Sequence, residues 1–189
     1  IYTLSLHDAL PICVSQVYLK IAGILDIPKA FDPYEDRIIT SGFVDWHQLP
    51  AVMAECDIAI APLVDTIFNR AKSENKWVEA ALVKIPIIAS NVGAFSEKIN
   101  NLDTGILVDN TDEEWFKNLE LLISSRDLRN SLAANAHKEV GHSYSTVYTG
   151  YNLASFIRER LSRNIGFILP STDISGGVIV ALKHADVLR

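Results

Sequence analysis

The sequence predicts an α/β fold in which a Rossmann-like parallel sheet carries helices on both faces. Three observations predict it. Short apolar runs alternate with helical stretches from residue 17 to residue 161. The run Ile85-Pro86-Ile87-Ile88-Ala89 is apolar without alternation, the pattern of a strand buried on both faces. Two of the helical stretches carry start signals of their own, at Asp45 with Gln48 and at Thr111 with Glu114.

The elements follow in order. Residues 17–22 form a strand closed by Gly23, and 37–40 a second short strand leading into Ser41-Gly42-Phe43-Val44. Residues 45–55 form a helix with Pro50 near its first turn, and 56–61 a strand stopped by Pro62. A helix at 73–83 takes Ser73 as its N-cap and Glu74 where the helix dipole favours an acid. Pro86 stops that helix, and the strand 85–90 follows. Val92 and Gly93 form a loop, 96–100 a short helix and 105–108 a last strand. Helices then occupy 111–124 and 126–140, and an amphipathic helix occupies 146–163.

Composition bounds the function. Of 189 residues, 49% are hydrophobic and 21% charged, the balance of an ordinary globular protein. The net charge of -6, with no basic run to offset it, argues against a nucleic-acid surface. No window has the apolar length to span a bilayer. Cys13 and Cys56 match no metal or redox spacing and read as buried, reduced thiols, which points to the cytoplasm. His47, His137 and His142 lack partners at metal or triad spacing and read as surface histidines, and no acidic metal motif is visible.

The two ends change character. Residues 1–12 are identical to one reading frame of a common sequencing-adapter oligonucleotide, so natural sequence is expected to start near Cys13. Residues 164–189 begin afresh: a strand at 165–169, a glycine-containing loop at 170–177 and a helix at 178–189. That is the opening unit of a second Rossmann-like domain, so the chain is expected to be a fragment at both ends.

The most informative stretch is 72–90. Lys72, Lys76, Glu79 and Val83 are spaced by four, three and four, which puts two lysines and a carboxylate on one helical face. A helix N-terminus beside lysines suits a phosphate, and a carboxylate one turn deeper suits a sugar diol. The preceding loop, 63–72, leaves from a strand's carboxyl end, where parallel sheets bind ligands.

Taken in order, Ser41-Gly42-Phe43-Val44, Cys56-Asp57-Ile58-Ala59-Ile60-Ala61-Pro62, residues 72–79, residues 86–90, Gly105-Ile106-Leu107-Val108 and Asp127-Leu128-Arg129 make a pattern. Over residues 17–161 it resembles the C-terminal, donor-binding domain of GT-B fold glycosyltransferases of the group 1 (family 4) type. Residues 168–177 resemble the first strand and loop of the N-terminal domain of the same family, which implies two transferase modules in tandem. The resemblance divides the chain into an adapter-derived segment (1–12), a truncated donor-binding domain (13–163) and the start of a second transferase (164–189).

The resemblance implies transfer of a glycosyl group from a nucleoside-diphosphate sugar to a hydroxyl of a glycan or lipid-linked acceptor. It implies retention of configuration, no metal or other cofactor, and a place in cell-surface polysaccharide synthesis, in the cytoplasm or at the cytoplasmic face of the membrane. The second glutamate of a Glu-x7-Glu pattern, which binds the donor ribose, matches Glu79, while the first falls on Ala71. Lys72 and Ser73 match a Lys-Ser pair found in a subset of the family and stand as substitute donor contacts. Gly93 would touch the donor from a strand-end loop, and Val44 the nucleobase through its backbone. The catalytic residues stay unassigned. The family's phosphate clamp and acceptor side precede residue 17.

Each residue also has a plainer reading. Glu79 could pair with Lys76, and Lys72 and Ser73 could be a solvated lysine before an N-cap. Gly93 could serve only a tight turn, and Val44 only a connection. Trp77 reads as core. Two other functions remain open, a non-catalytic nucleotide-sugar-binding module and a GT-B nucleotide-sugar epimerase.

Overall fold

The computed structural model describes residues 17–160. The expectations for residues 1–12 and 164–189, and the state of Cys13, lie outside them. The chain divides into two compact units, residues 1–138 and 139–189.

The first unit is α/β with parallel sheets. Strands β1 (Leu19–Ile21) and β2 (Ile38–Thr40) pair in parallel, Leu19 opposite Ile38. Strands β3 (Ala59–Ala61), β4 (Ile87–Ser90) and β5 (Ile106–Val108) form a second parallel sheet with β4 in the centre. Among the described residues the strands thus form two sheets where sequence alone predicts one. β1 and β2 have three residues each and none of them is buried, so they lack the continuous apolar faces that tie β3, β4 and β5 together.

Helices α1 (Leu49–Ala54), α2 (Ile67–Arg70), α3 (Asn75–Leu82), α4 (Ala94–Lys98), α5 (Asp112–Ser124) and α6 (Arg126–Ser143) fill the connections. Helix α3 packs on β3 and β4, and α5 packs on β5. Strand β4 is buried along its whole length. Around Ile88 and Ile106 gather Val108, Trp115, Leu119, Leu122 and Leu132, so α5 and α6 close the core over the central strands.

Local chemistry sets most boundaries. Thr111 caps α5 by accepting from the Glu114 N–H at 3.3 Å, as its spacing predicts. Asp45 behaves differently from the expected cap. Its carboxylate accepts from the His47 N–H at 2.9 Å and pairs with His47 Nδ1 at 2.8 Å, so a turn intervenes and α1 starts only at Leu49. Those bonds to His47 hold the Asp45 carboxyl below its usual range.

Helix α3 ends in a Schellman turn. The Ile85 N–H bonds the Ala80 carbonyl at 2.9 Å and the Lys84 N–H bonds the Ala81 carbonyl at 3.1 Å. That turn requires a left-handed residue, and Lys84 supplies it with φ 59°, a conformation that strains a side-chain-bearing residue by about 1 kcal/mol. Two short elements were not expected: a 3-10 segment, Lys29–Arg37, interrupted at Tyr34, and the one-turn α2. Cys56 is a free, half-buried thiol, less enclosed than expected, and burial raises its pKa.

In the second unit α7 (Thr146–Arg160) opens with Ser145 Oγ accepting from the Tyr148 N–H at 3.2 Å. His142 lies against the Tyr148 ring, with centroids 4.8 Å apart. Among the described residues no helix is long and apolar enough to cross a membrane.

Candidate functional site

The carboxyl ends of β3, β4 and β5 are tied by one side-chain ring. Ser90, fully buried at the end of β4, accepts from the Leu63 N–H at 2.8 Å and donates to Asn110 Oδ1 at 2.7 Å. Asn110 Nδ2 donates to the Leu63 carbonyl at 2.7 Å. Both backbone polar groups of Leu63 are thereby satisfied where it leaves the sheet, and the loop that follows starts from a fixed point.

That loop is ordered along its length. Thr66 Oγ1 caps α2 by accepting from the Asn69 N–H at 3.1 Å, and buried Asn69 donates back to the Val64 carbonyl at 2.8 Å. Arg70 grips Asp65 with both arms of its guanidinium, at 2.5 and 2.6 Å. The bond lowers the Asp65 carboxyl below its usual range and raises Arg70. Ile67 and Phe68 point outward, 90% and 74% exposed, and Lys72 Nζ lies 5.0 Å from the Phe68 ring centre.

The chain enters α3 later than expected. The Lys72 N–H bonds the Asn69 carbonyl at 3.2 Å, so Lys72 belongs to the turn that closes α2 and Ser73 to the link before α3. Exposed Ser73 is therefore not the N-cap. Glu74 holds that position, without a side-chain capping bond. For the same reason Lys72 stands off the helix, and the expected shared face reduces within α3 to Lys76 and Glu79.

These two side chains are electrostatically coupled. Desolvation is the largest influence on each: it lowers the Lys76 pKa, with help from Lys72, and raises that of Glu79. Each partly offsets the other's shift through space, yet among the described residues they close no ion pair. Both side chains nevertheless lie on the exposed face of α3, so a ligand arriving from solvent can reach them.

Gly93 is fixed against the same loop. It begins α4 with φ 57° and ψ -133°, and a Cβ there would sit 2.8 Å from both the Cα and the carbonyl oxygen of Arg70. Glycine is required twice over, by conformation and by contact. The structure places Gly93 against the backbone of Arg70, two residues before Lys72 in the chain. Val44 lies on the loop that follows β2. Ala71 closes α2, with its N–H bonded to the Ile67 carbonyl at 3.3 Å. Trp77 is core, 1% exposed, and donates from Nε1 to the Thr104 carbonyl at 2.9 Å.

Sequence reasoning missed Ser90, Asn110 and the Asp65–Arg70 pair. The available signal was a serine ending a wholly apolar run and an asparagine just before a capping threonine. Among the described residues no group of three or more histidines, cysteines or acids is arranged to hold a metal ion.

Comparison with known proteins places this architecture. The chain is 28% identical over 149 residues to an uncharacterised 41.2 kDa protein of the cps region of Klebsiella pneumoniae, covering 73% of this chain and 39% of that protein. Among solved structures it is similar to Anabaena HepE in complex with UDP, with a TM-score of 0.67 and 21% identity over 84% of this chain and 47% of that one. It is also similar to sucrose-phosphate synthase of Thermosynechococcus elongatus, with a TM-score of 0.62 and 16% identity over 83% of this chain and 42% of that one. The chain therefore spans less than half the length of these proteins. At such identities the structural likeness speaks for the fold. A family profile described as "Glycosyl transferases group 1" matches residues 4–125, a span that takes in part of the segment expected to be adapter-derived. The chain belongs to the group 1 glycosyltransferases.

Proposed function

We propose that this chain supplies the donor-binding part of a nucleotide-sugar-dependent glycosyltransferase. The enzyme would move a glycosyl group from a nucleoside-diphosphate sugar to a hydroxyl of a cell-surface glycan or lipid-linked acceptor, with retention of configuration. The observation that carries the reading is the pair Lys76 and Glu79, three residues apart on the exposed face of α3, next to the hydrogen-bonded loop at the carboxyl ends of the sheet. HepE, which shares the fold, has also been crystallised with UDP-glucose.

In this reading Glu79 accepts hydrogen bonds from the donor ribose diol, two donors that an ionised carboxylate can take together. Lys72 and Lys76 hold the diphosphate, and Ser73 adds a hydroxyl. Gly93 lets the donor approach the backbone, and Val44 meets the nucleobase. As the bond to the sugar breaks, negative charge grows on the leaving diphosphate. Fixed cations stabilise that charge most where water is excluded, so the lysines carry the electrostatic work without a metal. The cps-region relative supports a place in polysaccharide synthesis.

Titration calorimetry of the full-length protein with UDP tests the site. Glu79→Ala is expected to weaken binding about tenfold, the loss of one or two charge-assisted hydrogen bonds. Unchanged affinity removes Glu79 from the site. Ala71, standing where the family carries an acid, favours a second reading as a non-catalytic nucleotide-sugar-binding module. An intact protein that binds nucleotide but neither hydrolyses nor transfers from any donor would support it.

A further inference from the structure

We infer a second, separate ligand site at the opposite edge of the three-stranded sheet: a basic notch that takes a free tetrahedral oxyanion of the phosphate class. A cavity of about 150 Å³ opens where the chain enters β3 and β4, lined by Cys56, Asp57, Lys84, Arg126, Arg129 and Asn130 among others. Three cations face one carboxylate there, in a protein whose net charge is -6. A local surplus of positive charge on an acidic molecule draws small anions rather than a large acidic partner.

The cations are placed by the fold. Arg129 is anchored through one guanidinium nitrogen, which donates to the Leu122 carbonyl at 2.6 Å and the Ile123 carbonyl at 3.1 Å. Its other terminal nitrogen forms an ion pair with Asp57 Oδ1 at 3.9 Å, too long for a hydrogen bond, so an incoming anion would compete with Asp57 for it. Arg126 opens α6 on the same rim. Lys84 lines the same cavity. It occupies the left-handed position of the Schellman turn, where glycine forms the turn without strain.

The notch has room for one tetrahedral anion beside its cations, so inorganic phosphate is the ligand class proposed. The notch takes Lys84, which follows the C-terminus of α3, whereas Lys72 and Ser73 precede its N-terminus.

The test is a titration of the 189-residue chain with inorganic phosphate, against sodium chloride at matched ionic strength, followed by amide NMR. Phosphate is expected to shift Asp57, Lys84 and residues 126–130. Arg126→Gln and Lys84→Gly should each weaken binding about tenfold. Lys84→Gly guards against a folding artefact, because relief of the turn should raise its thermal midpoint while phosphate affinity falls. Equal shifts with chloride, shifts confined to residues 72–79, or affinity unchanged in both variants would overturn the assignment.

Discussion

Ser90 Oγ donates to Asn110 Oδ1 at 2.7 Å while accepting from the Leu63 N–H, so two residues twenty apart in sequence hold the start of the loop 63–72. Replacing Ser90 with alanine leaves a buried N–H and a side-chain amide oxygen without their partner. The expected loss is about 1–3 kcal/mol, read from urea unfolding. UDP affinity of the full-length protein should fall as well, because Leu63 no longer anchors the loop. A variant as stable as the parent would show that the ring is not needed.

Gly93→Ala tests the neighbouring contact. The added methyl would lie 2.8 Å from the Arg70 backbone, and an L-residue at φ 57° is strained before any clash. Because the obstacle is main chain and not the end of a flexible side chain, the loop itself must move. A destabilisation of about 2 kcal/mol or more is expected, together with weaker nucleotide binding. Normal stability with normal binding would contradict the close approach.

The two fully buried tryptophans of the first unit should respond differently to phenylalanine. Trp77 donates from Nε1 to the Thr104 carbonyl at 2.9 Å, whereas Trp115 Nε1 is buried without a hydrogen-bond partner. Trp77→Phe loses a hydrogen bond and leaves a carbonyl short. Trp115→Phe loses only volume and removes an unsatisfied donor. Trp77→Phe is expected to be worse by about 1 kcal/mol in chemical denaturation. The reverse order would mean that the Trp115 indole finds a partner in solution.

Much of this was legible because it is local. Strand β4 shows itself as an apolar run, Thr111 and Glu114 sit at capping distance, and Trp77 falls on the buried face of a short helix. What escaped depends on distance in sequence or on single turns. Helix α2 is one turn long, with Ile67 and Phe68 exposed, so it has no apolar stripe to reveal it. Once formed, that turn takes up Lys72 and delays α3, which is why Ser73 is not its cap. Asn110 meets the Leu63 carbonyl across 47 residues, a pairing that no local pattern encodes. Of the five residues expected at the donor site, Lys72, Ser73, Glu79 and Gly93 lie on the elements that leave β3 and β4. Val44 lies on the loop after β2.

The last prediction concerns pH and separates binding from stability. Burial raises the Glu79 pKa above its ordinary value of 4.5 in the folded protein. Below 4.5 the group is protonated in both folded and unfolded states. As pH rises from there through the raised value, the unfolded chain ionises more readily, so folding stability is lost over that window. Lys76, lowered from 10.5, behaves in the opposite sense, and its contribution is recovered only as pH climbs toward 10.5. At neutral pH both charges therefore oppose folding slightly until a ligand satisfies them. Glu79→Gln should match the parent's stability at acid pH and exceed it at neutral pH, by well under about 1 kcal/mol because the side chain remains partly solvated. The same variant should bind UDP more weakly, since a neutral amide accepts the ribose hydroxyls less strongly than a carboxylate. Greater stability with weaker binding is what a ligand site produces. A surface pair with Lys76 predicts the opposite sign, because losing the carboxylate would then destabilise the fold at neutral pH. Denaturation curves at acid and neutral pH, with UDP calorimetry on the full-length protein, distinguish the two.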